Sequence, residues 1–163
     1  MLQFRDYSPI IHAFVAFLDA NYDKIDLYDK NRIIAALMAA LRNITDRPVD
    51  MVSEAVMINC QQKGIDPFDL LWNKRNVLGR DKSGKSLLAW EHTTPLSELR
   101  DSLVECKSEQ EVRKVLENYS GVCWIMRDEN NMLNEHGFRS KRPDGWEAAY
   151  EACGIKVIYK SKK

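Results

Sequence analysis

The stretch N-V-L-G-R-D-K-S-G-K-S-L-L-A-W-E-H, residues 76–92, decides the architecture. Two short apolar runs flank a polar, glycine-containing segment from Asp81 to Lys85, which is the composition of a β-hairpin. Upstream of it the apolar residues recur at helical spacing, and downstream helix and strand patterns alternate. The chain therefore reads as an α+β protein of 163 residues, long enough for a single domain with a real hydrophobic core. Within that domain, residues 1–75 read as a helical part and residues 76–163 as a hairpin-containing α+β part.

Ser8-Pro9 offers an N-cap and a first-turn proline, after which Ile10, Ile11, Phe14, Val15 and Leu18 repeat as an amphipathic helix. A second helix is expected from about Asp29, with Ile33, Ile34, Leu37, Met38 and Leu41 on one face. A third is expected from about Asp46 through Val52, Ala55 and Val56 to a stop near Gly64, and a short fourth from Asp66-Pro67. Beyond the hairpin, Thr94-Pro95 precedes Leu96, Leu99 and Leu103, and Ser108 with Glu111 forms a capping box. Val122 to Met126 and Ile155 to Tyr159 read as strands. Asp128 and Asp144 read as caps of helices that end at Gly137 and Gly154.

Lysine plus arginine equal aspartate plus glutamate, so the whole molecule exerts no net pull on a polyanion. From Arg139 to Lys163, however, seven basic residues face three acidic ones, a local excess that suits either a phosphate-facing surface or a solubilising tail. No apolar run reaches the roughly 18 residues of a membrane span, and the first residues lack an apolar signal core. Cys60, Cys106, Cys123 and Cys153 show no C-x-x-C pairing and read as reduced, buried small hydrophobes. A cytoplasmic protein without a membrane partner is the expectation. Trp72, Trp90, Trp124 and Trp146 read as core residues, and His136 beside Gly137 as a helix C-terminal group.

Gly79 to Ser86 matches G-x-x-x-x-G-K-[ST], the loop whose amides and lysine cradle nucleotide phosphates. A phosphate loop must follow a buried parallel strand and open a long helix, whereas this one follows the polar Asn73-Lys74-Arg75-Asn76. A plain turn is the reading preferred here, with nucleotide binding behind it.

Trp90-Glu91-His92-Thr93-Thr94-Pro95, followed later by Trp124-Ile125-Met126-Arg127-Asp128-Glu129-Asn130-Asn131-Met132-Leu133-Asn134, resembles the HNH (His-Me finger) nucleases over residues 76–142. An acidic residue, a histidine and a proline three positions on match that family's D-H-x-x-P opening, and the later run resembles its closing strand and helix. The resemblance implies a small ββα-like core with flanking helices and metal-dependent hydrolysis of nucleic-acid phosphodiesters, in defence or mobile-element biology. It makes His92 the general base and Glu91 a ligand of magnesium or manganese, with Asn130 or Asn134 completing the metal site from the helix. Arg139, Lys141 and Arg142 would then hold the nucleic-acid backbone.

The same residues also fit a plainer account, with His92 a polar group at a strand end and Glu91 and the asparagines surface groups. On that account the chain is a non-catalytic module that binds protein or nucleic acid, as a phage and host interaction protein would. Glu105-Cys106-Lys107 has the acidic-x-Lys form of restriction-type nucleases, but it lies in a helix pattern rather than on a strand.

Overall fold

The computed structural model describes residues 8–21, 23–44, 49–118 and 121–161. In chain order the elements are α1 (Ser8–Asn21), α2 (Leu27–Ile44), β1 (Met51–Ser53), α3 (Glu54–Gln61), β2 (Leu88–His92), α4 (Leu96–Val104), α5 (Glu109–Glu117), β3 (Val122–Met126), α6 (Arg127–Glu135), α7 (Gly145–Ala152) and β4 (Val157–Tyr159). Single 3-10 turns at Pro67–Asp69 and Trp72–Lys74 lie between α3 and β2. The α+β class holds. The chain divides into two compact units, one of residues 1–44 and 96–119 and the other of residues 45–95 and 120–163. The division expected after residue 75 falls inside the second of these.

In the first unit α1, α2, α4 and α5 enclose Ile11, Val15, Leu37, Leu41, Leu99, Leu103, Cys106 and Val112. The starts of its helices follow local chemistry. The Asp26 carboxylate accepts from the Asp29 amide at 2.8 Å, so α2 begins earlier than its apolar pattern suggests. The Ser108 hydroxyl accepts from the Glu111 amide at 3.3 Å, while the Glu111 carboxylate accepts from the Lys107 amide at 2.6 Å.

The second unit is built on a four-stranded sheet in the order β2-β3-β1-β4, with β1 parallel to β3 and the other neighbours antiparallel. Side chains alternate between its faces. Val52, Leu88, Val122 and Trp124 lie on one face against Val56 and Cys60 of α3 and Phe68, Leu70 and Leu78 of the following turns. Met51, Ala89, Cys123 and Ile125 lie on the other, against Leu133 of α6 and Ala149 and Tyr150 of α7. Trp124 is fully buried; its indole nitrogen donates to the Leu70 carbonyl at 3.3 Å, and its ring meets Trp90 edge to face at 4.7 Å.

Three expectations are corrected here. Residues 51–53 form a strand in the middle of the sheet rather than part of a third helix, and the helix begins only at Glu54, capped by Ser53, whose hydroxyl accepts from the Val56 amide. The turn at Asp81–Lys85 exists, closed by the Asp81 amide donating to the Lys85 carbonyl at 2.8 Å, but it does not join two paired strands. Its first arm runs as turns to a lone bridge at Arg80 and Ser86, and β2 pairs instead with β3, Leu88 opposite Met126 and His92 opposite Val122. Trp72 is also not a core residue: it is 45% exposed, with the Arg75 guanidinium stacked 3.7 Å from its ring centre.

Replacing Leu133, 1% exposed between α6 and the sheet, by alanine is expected to cost about 2–5 kcal/mol in urea unfolding, whereas Ile10→Ala, at an exposed position, should change stability by less than about 0.5 kcal/mol.

Candidate functional site

The register of β2 sets the geometry of the residues singled out in the sequence. Glu91 stands opposite Cys123 and shares the face covered by α6 and α7; His92, the next residue, alternates to the face of Trp90. Arg142, in the segment between α6 and α7, is only 3% exposed and reaches the end of β2. One of its terminal nitrogens donates to the Glu91 carboxylate, and the other donates to the carbonyls of Thr93 and, at 2.9 Å, of His92. Thr93 is buried too, its hydroxyl and amide both donating to the Gly121 carbonyl. The Tyr150 ring lies 5.5 Å from the guanidinium, with Trp146 edge-on at 5.3 Å.

A second acid on the same face was not singled out by sequence. Glu129 of α6 accepts from the Ser53 hydroxyl at 2.7 Å and from the Met126 amide at 2.6 Å, tying the start of α6 to β1 in the middle of the sheet. The cap expected of Asp128 is thus made by its neighbour. The only local signal was an acidic residue in the first turn, and two adjacent candidates shared it.

The electrostatics are those of a buried polar cluster. Burial pushes the Glu91 carboxyl up, with the charge and hydrogen bond of Arg142 pulling against it. Burial likewise raises Glu129, opposed by the Ser53 and Met126 hydrogen bonds. The Cys123 thiol and the Tyr150 hydroxyl are raised well beyond neutral pH, chiefly by desolvation, so both stay protonated.

Of the residues expected to act together, Arg142 meets Glu91 through its carboxylate and His92 through its backbone carbonyl. Arg139 and Lys141 are exposed in the segment after α6, Asn130 is half-buried and Asn134 exposed on α6, and His92 is half-buried at the strand end. Arg142 is corrected from a phosphate donor on the surface to an internal tie, because its terminal nitrogens are spent on Glu91 and two carbonyls. The resemblance set Glu91 with Asn130 or Asn134 around a divalent metal; here Glu91 accepts from Arg142, and the two asparagines lie on α6. The Glu91 carboxylate is already neutralised by a guanidinium, and Asn134 faces solvent. Among the described residues no group of three or more His, Cys, Asp or Glu side chains is placed to hold a metal ion.

The phosphate-loop string is also filled from within. One oxygen of Asp81 accepts from the amides of Ser83 and Lys85 at 2.8 and 3.0 Å and from the Ser83 hydroxyl at 2.7 Å. A carboxylate therefore occupies the amides that would cradle a phosphate, and these bonds hold the Asp81 carboxyl below its usual value. Ser86 donates to the Arg75 carbonyl, and a strand rather than a helix follows.

No family model, curated protein or solved structure matches this chain.

Arg142→Met strands the Glu91 carboxylate and is expected to cost about 3–5 kcal/mol in urea unfolding at neutral pH. Lowering the pH protonates the stranded acid, so that loss should shrink on acidification, and adding Glu91→Leu should recover part of it. Glu129 has a folded pKa above the ordinary 4.5, so its contribution is full below that value and lost as pH rises through the folded one. The thermal midpoint of Glu129→Gln, followed from about pH 4 to about pH 7, should accordingly fall less with rising pH than that of the unsubstituted protein.

Proposed function

We propose that this protein is a non-catalytic module that binds another protein, and that α1 carries the contact. The supporting observation is a second apolar stripe on that helix. Ile11, Val15 and Leu18 face the core of the first unit, as one stripe of an amphipathic helix should. Pro9, Ile10, Ala13, Phe14 and Phe17 form another, roughly 100° around the helix. With Ile33 of α2 they line a wholly apolar groove of about 550 Å³. Ile10 and Phe17 are 56% and 50% exposed there, and Leu27 and Tyr28 at the start of α2 are more exposed still. A contiguous apolar surface with aromatic side chains at helical spacing suits the apolar face of a partner helix laid into the groove. Its lining carries no cation for a nucleic acid, and no described helix is long and apolar enough to cross a membrane.

A photo-reactive benzoylphenylalanine in place of Phe17, in cells that make the protein, is expected to capture one recurrent protein. That protein, once purified, should bind the unsubstituted chain and lose about tenfold or more in affinity for Phe17→Asp, whose thermal midpoint should stay unchanged. Equal binding of both forms, or unfolding of Phe17→Asp, would remove the groove from the contact.

A second reading, hydrolysis of nucleic-acid phosphodiesters, is favoured by one observation. The strands β2 and β3 are antiparallel neighbours and α6 follows directly and packs across both, the succession of a ββα unit with α4 and α5 inserted in it. Incubation of plasmid DNA, single-stranded DNA and RNA with magnesium or manganese separates the readings. Cleavage abolished by a chelator and by His92→Ala supports the hydrolase; intact substrates with folded protein support the binding module.

A further inference from the structure

The two edges of the sheet are treated differently. The β2–β3 register pairs Ala89 with Ile125 and Glu91 with Cys123, and the Arg127 amide donates to the Leu87 carbonyl. The backbone groups of Leu88, Trp90 and His92 therefore point away from β3. Several of them are covered by the chain's own side chains. The Leu88 amide donates to the Ser86 hydroxyl at 3.1 Å, and Arg127 donates to the Leu88 carbonyl at 3.3 Å. Arg142 donates to the His92 carbonyl at 2.9 Å. These bonds cover this edge at both ends of β2 and leave the backbone of Trp90 between them.

The β4 edge has no such cover. The Glu54 amide donates to the Lys156 carbonyl and the Lys160 amide to the Asp50 carbonyl, both at 2.8 Å, so Lys156, Ile158 and Lys160 turn their backbone groups towards β1. Val157 and Tyr159 turn theirs outward, and among the described residues no side chain bonds them. Tyr159 is 59% exposed. Lys156 and Lys160 share one side of the strand with Ile158 between them. Each has an exposed acid nearby, Glu54 at 3.7 Å and Asp69 at 3.5 Å, and exposed pairs of this kind hold a lysine weakly.

We propose that β4 is a docking edge for an extended segment of another protein, added antiparallel, with acidic side chains two positions to either side of its central residue. The charge pattern selects this occupant over a second copy of the chain. Antiparallel self-pairing about Ile158 would set Lys156 of each copy directly opposite Lys160 of the other, twice placing like charges in contact. An acidic segment replaces both repulsions by attractions, while the backbone of Val157 and Tyr159 supplies the pairing and Tyr159 an aromatic contact. This surface is independent of the groove on α1.

The test uses the full chain and two capped peptides, acetyl-Thr-Glu-Val-Thr-Val-Glu-Thr-amide and its counterpart with lysine for glutamate. In amide nuclear magnetic resonance titrations the glutamate peptide should bind saturably, shift the amides of Val157 and Tyr159, and slow their hydrogen exchange. The lysine peptide should bind about tenfold more weakly. The double variant K156E/K160E, with unchanged tryptophan fluorescence as the check on folding, should reverse that preference. The proposal is overturned by equal binding of the two peptides, by no saturable binding of either, or by shifts that leave Val157 and Tyr159 untouched. It is equally overturned if the unsubstituted protein dimerises with protection of those two amides.

Discussion

The pairing of β2 with β3 is the constraint on which the second unit turns. Backbone groups in a buried sheet must be bonded, and this ladder fixes which residues of β2 face which layer. With Trp90 opposite Trp124, the aromatic pair forms on the side covered by α3. With Glu91 opposite Cys123, a carboxylate enters the side covered by α6 and α7, where burial demands a cation. A slip of one residue would send Glu91 among the apolar side chains around Trp124 and turn Trp90 towards Arg142.

Arg142 answers that demand, and more than charge is involved. Taking a carboxylate and a guanidinium out of water is costly, and their attraction offsets more of the cost where further donors are bonded as well. Here the guanidinium bridges Glu91 and the carbonyls of His92 and Thr93, so the segment between α6 and α7 is fastened to the end of β2. Glu129 does the same at the other end of α6, linking the helix start to Ser53. The sheet face thus carries polar ties at both limits of an apolar layer. They fix where α6 lies, and the apolar contacts of Leu133 supply the adhesion.

What was legible in the sequence was periodic or capped. The apolar spacing of α1, α2, α4 and α5, the Ser108 cap, the run Val122–Met126 and the helix-ending Gly154 all act over a few residues, and each element appears close to where it was expected, with α2 starting two residues early and Ile10 of α1 exposed. What was not legible depends on partners far along the chain. Met51-Val52-Ser53 is too short to show a period, and becomes a strand because β3 and β4 flank it. The arms around Asp81–Lys85 looked like a hairpin because composition reports the turn and not the strand that pairs beyond it. Arg142 looked like part of a basic surface because its acidic partner, Glu91, lies fifty-one positions earlier. Trp72 looked like core on residue type alone, and Arg75 stacked on its ring gives it a surface setting instead.

The first unit is discontinuous: α1 and α2 come from the start of the chain, and α4 and α5 are inserted between β2 and β3. During synthesis, α1 and α2 leave the ribosome with Leu37 and Leu41 still lacking the leucines of α4 that complete their core. In that interval, their apolar surfaces are exposed to whatever the cell offers, and the strand that must finally meet β3 is made before either unit can close. Folding of the two units is therefore interleaved in time, and a pause in translation between α2 and α4 would lengthen the period in which the nascent helices need a chaperone.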